Sequence, residues 1–306
     1  MKKLFNIPFF LAHGLLAALI AFVLTPGARD TASPVAFCIA IGLIEALYLL
    51  QLWRKTLVRR VPNSISEIMV LVYALLLLWE LGTRQYNWLN VLIFPAPENV
   101  FILFGTKWQE MLLNAAYSME LLLVGFLGGV LLGTFVGILV GWIDKVRQIF
   151  HPIFKVLAPI PPMIISPYVI VVMPSFRSAS IVLVMFTVFL FVILTTIETV
   201  QNIDRNILDS ARAMHLSNPA MIFEILVPYV TPGVVSGLKV NMILGFMMLM
   251  FAETIGSKYG LGHWINVNHL YMNYAGLIAG FIEIGVLVLA INKIIEVIQK
   301  RAIAWQ

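Results

Sequence analysis

Eight long apolar stretches, each bounded by charged residues, proline or glycine, run through this chain of 306 residues. A helix needs about 20 mostly apolar residues to cross a bilayer, so these stretches predict eight transmembrane helices. They run approximately from Phe9 to Thr25, Val35 to Trp53, Ile65 to Leu81, Leu113 to Trp142, Val156 to Met173, Ala179 to Ile197, Gly233 to Ala252 and Ala275 to Asn292. Apolar residues make up 61% of the chain and charged residues only 11%, which leaves too few polar side chains to cover a water-soluble fold. We therefore expect an all-α polytopic membrane protein.

The basic residues lie in short clusters between the apolar stretches. With Met1 in the cytoplasm, fourteen Lys and Arg residues fall in the cytoplasm and five outside, while Lys239 lies within the seventh stretch. Cytoplasmic segments carry the excess of Lys and Arg in membrane proteins, so both termini are predicted to be cytoplasmic.

Several kinds of catalytic site are missing from the sequence. No Gly is followed by Lys, which excludes a phosphate-binding loop of the G-x-x-x-x-G-K-[ST] type, so ATP is expected to bind to another subunit. The five His lack H-E-x-x-H spacing, the four Asp lie outside the apolar stretches, and no G-x-S-x-G motif is present. The single Cys38 makes neither a disulfide nor a Cys-based metal site. We expect no enzymatic activity, cofactor or metal on this chain.

One cytoplasmic segment, residues 202–231, has the pattern of two short helices. Apolar residues at helical spacing (Ile207, Leu208, Ala211 and Met214) follow Asp204, a candidate N-cap. A turn is predicted at about His215 to Ser217. Asn218 and Pro219 are typical of an N-cap and first helical position, and Pro228 and Pro232 are expected to end the second helix.

The same segment carries a spaced motif. Asp209-Ser210-Ala211, His215 and Ile225-Leu226-Val227-Pro228 match the spacing of the E-A-A-x(3)-G-x(9)-I-x-L-P signature of ABC importer permeases, with Asp, Ser and His replacing Glu, Ala and Gly. Three further motifs also resemble those of importer permeases: Pro159-Ile160-Pro161-Pro162, Pro95-Ala96-Pro97-Glu98 and Gly260-Leu261-Gly262. From about Trp79 to Gln306 the chain resembles the permeases of the nitrate, sulfonate, taurine and bicarbonate importer group, whose relatives also carry pyrimidine precursors of thiamine.

This resemblance implies a permease subunit in the inner membrane of a prokaryote, importing a small solute. Its expected partners are a second permease, identical or different, two ABC ATPase subunits that bind the ATP, and an extracytoplasmic substrate-binding protein. Residues 1–60 would be accessory helices with a basic linker, and 61–306 the permease core with a coupling loop at 202–228. The residues expected to couple to the ATPase are Ile207, Leu208, Asp209, Ser210, Ala211, Met214, His215, Ile225 and Pro228.

Further residues are candidates for the translocation pathway, although packing is an alternative for each: Pro161, Pro162, Asn241, Met248, Glu120 and Glu283. Glu80, Glu198 and Glu253 fall near the ends of the predicted helices, where we expect water to reach them. On the fourth helix, glycines recur at spacings of about four residues and predict close packing with another helix.

Two questions stay open at this point. A secondary transporter or channel that needs no ATPase is the main alternative function, and the spacing of the coupling motif argues against it. His215 replaces the signature Gly in a turn that favours positive φ, so either the turn differs or it holds a strained His.

Overall fold

The computed structural model describes residues 7–57 and 64–302, and the regular structure in these ranges is helical throughout. The helices are α1 (Ile7–Leu24), α2 (Val35–Leu57), α3 (Ser64–Glu80), α4 (Pro97–Thr106), α5 (Trp108–Trp142), α6 (Asp144–Leu157), α7 (Ser166–Val172), α8 (Phe176–Gln201), α9 (Arg205–Ala213), α10 (Asn218–Ala220), α11 (Val227–Gly256), α12 (Leu261–Leu270) and α13 (Tyr274–Ala302). The predicted all-α membrane fold is confirmed.

Seven of the eight predicted stretches lie on helices that are long and apolar enough to cross a membrane. The fifth stretch, Val156 to Met173, is not one helix, and that prediction is wrong. Helix α6 ends at Leu157, a short 3₁₀ turn covers Pro162–Ile164, and α7 adds only seven residues. Three prolines between residues 159 and 162 account for the break, because proline has no N–H for the helical hydrogen bond and clashes with the preceding turn.

The glycines of α5 pack against α8 and set the relative direction of the two helices. A glycine at every fourth position of α5 meets the α8 residue that is 59 positions further along the chain. The two are so close that a Cβ added to the glycine would lie 2.6–2.9 Å from a side-chain atom of that residue. The pairs are Gly125 with Val184, Gly129 with Val188, Gly133 with Val192, Gly137 with Thr196 and Gly141 with Val200. Because both residue numbers rise together, α5 and α8 are parallel.

Two parallel membrane helices require the chain between them to return across the membrane. Residues 143–175 make this return in two pieces. Phe154 of α6 packs in a cluster with Ile193 and Ile197 near the end of α8, whereas Val169 of α7 packs with Leu183 near its start. The fifth crossing is therefore present as a broken helix, running antiparallel to α8.

Helix α11 runs antiparallel to α8, since Gly233 lies beside Thr199, and Gly256 lies beside Phe176 at the other end. The main apolar core of this part of the chain joins α5, α8, α11 and α13. Its most buried members include Leu121, Val188 and Leu249. This four-helix core positions the short helices that follow α8.

The chain divides into two compact units, residues 1–111 with 267–282, and residues 112–266 with 283–306. In the first unit, α1, α2 and α3 share one apolar core around Leu19, Phe37 and Tyr73. The predicted boundary at residue 60 lies outside the described residues. Helices α1, α2 and α3 therefore pack together within one compact unit.

A buried ionic cluster lies in the first unit. The Arg84 guanidinium lies 2.7 Å from the Glu98 carboxylate and 3.4 Å from that of Glu80, and it also donates to the carbonyls of Val23 and Thr25. Glu80 is fully buried, so the expectation that water reaches it is wrong. A guanidinium with several acceptors makes such burial tolerable.

Candidate functional site

Helix α9 begins as the sequence predicts. The Asp204 side chain accepts a hydrogen bond of 2.9 Å from the backbone N–H of Asn206, which caps the helix. The helix ends at Ala213, and on one side Leu208 packs against an apolar cluster that includes Val200 and Leu226. The short helix is thus held against the C-terminal end of α8 and the N-terminal end of α11.

The turn after α9 keeps the geometry that the signature Gly favours, with His in its place. His215 has a φ of 56°, in the left-handed region. Its N–H donates to the Arg212 carbonyl at 2.9 Å, and the N–H of Leu216 donates to the Ala211 carbonyl at 3.4 Å. This pair of bonds is a Schellman motif with His215 at the C′ position. The ring Nδ1 of His215 lies 3.0 Å from the Ala213 carbonyl, so this nitrogen donates.

The second short helix differs from the prediction at both ends. Its N-cap is Ser217 rather than Asn218, with the Ser217 hydroxyl accepting from the N–H of Ala220 at 3.4 Å. Neither Pro228 nor Pro232 ends it, because α10 continues through a π-helical turn, Met221–Leu226, into α11. The wider hydrogen-bond register of that turn lies just before Pro228 and accommodates a residue with no N–H to donate.

The predicted coupling residues separate into exposed and packed groups. Met214 is 73% exposed and Ile207 39%, and the exposed group also contains Asp209, Ser210, His215 and Pro228. Leu208 and Ile225 pack partly against the apolar cluster. Ala211 is only 3% exposed, so its small side chain permits close packing within this chain rather than against a partner.

The predicted pathway residues lie in different environments. Asn241 and Met248 are buried, and Met248 packs with Leu183 and Ala252 between α8 and α11. Glu120 forms an ion pair with Arg177 in which both side chains are half exposed. One carboxyl oxygen of Glu283 is buried and has no hydrogen-bond partner among the described residues. Pro161 is exposed and Pro162 half-buried, both at the break in the fifth crossing.

The sequence-based prediction missed a buried polar network at the other end of α11. Glu253 is 1% exposed, which contradicts its expected place at the interface. Its carboxylate lies 2.7 Å from the Ser118 hydroxyl and accepts from the N–H of Gly262 at 2.9 Å. Ser118 in turn accepts from the N–H of Leu261, and Asn114 from that of Gly260. These bonds attach the start of α12 to α5 and α11.

The glycines of the Gly260-Leu261-Gly262 motif were the available signal for this network. Gly260 has a φ of 116°, and a Cβ there would lie 2.4 Å from the Glu253 carboxyl carbon. A Cβ at Gly262 would lie 2.8 Å from the Glu253 Cβ. Two glycines in this spacing after an apolar helix indicate a close approach of backbone to a buried side chain.

An apolar groove of about 390 Å³ lies between α11 and α13. It is lined by Met242, Ile243, Phe246, Met247, Met250, Ile284, Val288, Ile291 and Asn292. Three methionines of α11, Met242, Met247 and Met250, therefore line this groove, whereas Met248 packs inside. Apart from Asn292 these lining residues are apolar, so they offer no charged side chain that would select a charged ligand.

Comparisons with known proteins agree with this architecture. The family described as "Binding-protein-dependent transport system inner membrane component" matches residues 129–303. The chain is 24% identical to the taurine transport system permease protein TauC of Escherichia coli (strain K12) over 264 residues, which cover 83% of this chain and 93% of TauC. It is 27% identical over 263 residues to the nitrate import permease protein NrtB of Leptolyngbya laminosa, covering 84% of this chain and 92% of that protein.

A third relative is the putative aliphatic sulfonates transport permease protein SsuC of Bacillus subtilis (strain 168), 21% identical over 251 residues, covering 74% of this chain and 90% of SsuC. Among solved structures, a chain of the MetNI methionine ABC transporter in an inward-facing conformation has a similar fold, with a TM-score of 0.56 at 19% identity over 65% of this chain and 98% of that chain. The family match extends over more than half of the sequence, from within α5 to the last turn of α13. This chain belongs to the family of binding-protein-dependent transport system inner membrane components.

Proposed function

We propose that this chain is the membrane-spanning subunit of an ATP-driven importer, which passes a small solute from an extracytoplasmic binding protein to the cytoplasm. It pairs with a second permease, and two cytoplasmic ATPases bind and hydrolyse the ATP. The chain itself carries no catalytic site and binds no cofactor. The observation that carries this proposal is the exposed apolar surface of the loop from α9 to Leu226, in a chain of a transport family.

The loop has the features of a docking element for a protein. Its inner side is held by Leu208, Ala211 and Ile225, so the loop is supported by the ends of α8 and α11. Its outer side presents Ile207 and Met214, which lie beyond the membrane-crossing helices and cannot be covered by lipid. Exposed apolar side chains of this kind mark a protein interface. A rigid loop continuous with α11 can pass movement of the ATPases directly to a membrane helix.

The solute class follows from the relatives alone. The three relatives named above are described as permeases for taurine, nitrate and aliphatic sulfonates. We propose that the solute of this chain is likewise small and carries a negatively charged group. Nitrate and taurine are therefore suitable first probes for uptake.

The docking role is tested with Met214→Glu. A charge in the centre of an apolar interface stays unpaired when the partner binds, and this costs several kcal/mol, so we expect the ATPase to be lost from the complex. The measurement is co-purification of the ATPase with the tagged permease from membranes. Met272→Glu is the control, because Met272 is 74% exposed, close to the 73% of Met214, but lies on the connection between α12 and α13.

Two results would argue against the proposal. Unchanged co-purification and uptake with Met214→Glu would exclude the loop as the docking element. Solute uptake by the isolated chain without any ATPase would instead establish the secondary transporter. Ala211→Glu is unsuitable for this test, since the buried Ala211 side chain supports the loop and its replacement would unfold the loop itself.

A further inference from the structure

The connection between α3 and α4 contains a loop, residues 86–94, that exposes a run of large apolar side chains. They are Tyr86, Trp88, Val91, Leu92, Ile93 and Phe94, and Trp88 and Leu92 are each 74% exposed. The rings of Tyr86 and Trp88 stack with their centroids 4.9 Å apart. No charged residue lies between Arg84 and Glu98 in the sequence. Exposed apolar surface of this kind marks a contact with another protein or with a membrane.

The loop has a fixed shape, because an arginine from the connection between α1 and α2 binds it at three points. The Arg29 guanidinium donates to the side-chain oxygen of Asn87 at 3.1 Å. It also donates to the carbonyls of Leu89 and Phe94, both at 2.9 Å. These bonds satisfy carbonyl groups of an irregular backbone and hold the apolar side chains at the surface of the chain.

The loop is also tied to the last turns of α3, which gives its depth in the membrane. The N–H of Leu89 donates to the Gly82 carbonyl at 3.0 Å, and the indole N–H of Trp79 donates to the Pro95 carbonyl at 2.9 Å. Trp79 and Gly82 both lie near the end of the apolar segment Ser64–Gln85, which is at most about 33 Å long. The hydrocarbon core is about 30 Å thick, so these turns and the loop lie at the membrane interface.

The loop lies on the side of α3 that suits lipid. Exposed apolar residues recur along α3 at spacings of three and four and form one strip: Ile68, Leu71, Leu75 and Leu78. Gly82, four residues after Leu78, continues this strip. A Cβ added to Gly82 would lie 3.2 Å from the Leu89 Cδ1, so Leu89 covers the end of the strip. The exposed side chains of the loop are therefore continuous with a surface that faces lipid.

The residue types in the loop favour lipid over a soluble protein. Trp and Tyr are enriched where a membrane meets water, because each has an apolar body and a polar group. Aliphatic side chains beside them, such as Val91, Leu92 and Ile93, reach further toward the acyl chains. A soluble protein that docks transiently meets a surface about as apolar as the rest of a protein, with a polar rim. The uncharged 86–94 loop does not have that composition.

We propose that the 86–94 loop is a membrane anchor, which inserts its apolar side chains into the lipid interface at the C-terminal end of α3. Trp88 and Tyr86 lie at the level of the phospholipid headgroups, and Leu92 lies nearest the acyl chains. Arg29 is a positioning residue, since it holds the loop in the inserted shape. The anchor fixes the depth of α3 and α4 in the bilayer, at the interface that the charge distribution predicts to be external.

Quenching of a fluorescent label tests the anchor in the full-length chain, reconstituted in vesicles of phosphatidylcholine and phosphatidylglycerol in equal parts. In a Cys38→Ser background, Leu92→Cys labelled with nitrobenzoxadiazole should be quenched by phosphatidylcholine that carries a nitroxide on its headgroup. Asp30→Cys is the control, because Asp30 is charged and exposed on the connection between α1 and α2. Iodide on both sides of the membrane should quench the Leu92 label at least about fivefold less than the Asp30 label.

Two results would overturn the anchor. Strong quenching of the Leu92 label by iodide, with little by the nitroxide lipid, would mean that the loop lies in water and offers its apolar side chains to a soluble partner. Protection from both quenchers would mean that another protein chain covers the loop. Val91→Cys, at a neighbouring exposed position, repeats the measurement and should behave as Leu92→Cys does.

The positioning role of Arg29 is tested with the same label. Arg29→Gln removes donors from the three acceptors, so iodide should quench the Leu92 label at least about twofold more than in the parent chain. Arg29→Lys should restore part of the protection, because the ammonium group can still donate to the loop. Arg177→Gln, at a half-exposed arginine of the second unit, is the control and should change nothing. Equal quenching in Arg29→Gln and the parent chain would overturn the role of Arg29.

Discussion

At the scale of single residues, His215 shows how a local conformation persists when the residue that favours it is replaced. The signature places Gly at this position, and the sequence left open whether the turn changes or holds a strained His. The structure has the strained His, since φ is 56° and both Schellman hydrogen bonds are made. Ala211 at the start of the turn is buried, and the two hydrogen bonds hold the turn in this conformation. The conformational preferences of Gly and His alone could not have shown whether the turn at position 215 changes or is kept.

His215→Gly should stabilise the turn. A left-handed conformation costs a residue with a Cβ roughly 1–2 kcal/mol, and Gly avoids this cost but gives back part of the gain through its larger entropy when unfolded. We expect a net gain of about 1 kcal/mol in the local opening free energy, seen as about fivefold slower amide hydrogen exchange in α9. His269→Gly, in the exposed last turn of α12, should instead speed local exchange. Faster exchange in α9 of His215→Gly would contradict the Schellman geometry.

At the scale of elements, proline breaks a helix where the sequence predicted a continuous one, and it does not end a helix where the sequence predicted an end. Pro159, Pro161 and Pro162 do break the fifth crossing, but a stretch of apolar residues long enough to span the membrane concealed the break. Pro228 does not end a helix, because the π-helical turn ahead of it removes the hydrogen bond that proline cannot make, and Pro232 lies inside α11. Apolar length predicts that a segment crosses, and the hydrogen-bond register decides whether it crosses as one helix.

The sequence correctly predicted that the glycines of α5 form a packing surface. The structure shows that the neighbouring Gly128 and Gly129 differ in how tightly they pack against α8. A Cβ at Gly129 would lie 2.7 Å from the Met185 carbonyl oxygen and 2.8 Å from the Val188 Cβ, both fixed atoms. A Cβ at Gly128 would meet only the flexible Met185 sulfur, at 3.1 Å. The two positions are one residue apart on the same helix and form a matched pair.

Gly129→Ala should therefore separate α5 from α8 and destabilise the protein by about 1–3 kcal/mol, as overpacking does in other cores. Gly128→Ala should be neutral or slightly stabilising, because Ala is the better helix former and the sulfur can move. Thermal unfolding of the two variants, purified in the same detergent, gives the comparison. Equal unfolding temperatures would mean that the helices do not pack along this stripe.

At the scale of the whole molecule, the number of crossings decides where each functional segment lies. Counting continuous helices alone gives seven, whereas the parallel packing of α5 and α8 requires one more crossing between them. The sequence predicted the eight crossings from apolar length and the sidedness from charge. It did not show that the fifth is broken, because apolar length concealed the effect of the three prolines, or that Glu253 is buried, because that burial depends on contacts with residues far away in the chain.

From the distribution of charge we predict that residue 175, between α7 and α8, lies outside the cell, and that residue 57, at the end of α2, lies in the cytoplasm with both termini. Ser175→Cys in a Cys38→Ser background should be labelled by an impermeant thiol reagent added to intact cells, because Ser175 is exposed. Leu57→Cys should be labelled only after the cells are opened, since the Arg and Lys residues beside it favour the cytoplasm. If the fifth segment did not cross, Ser175→Cys would share the side of the α5 C-terminus, and α8 would carry the docking loop out of the cell. Protection of Ser175→Cys in intact cells would thus contradict both the broken crossing and the proposed ATPase docking site. Its labelling, with Leu57→Cys protected, is the result expected of a chain that returns across the membrane between α5 and α8.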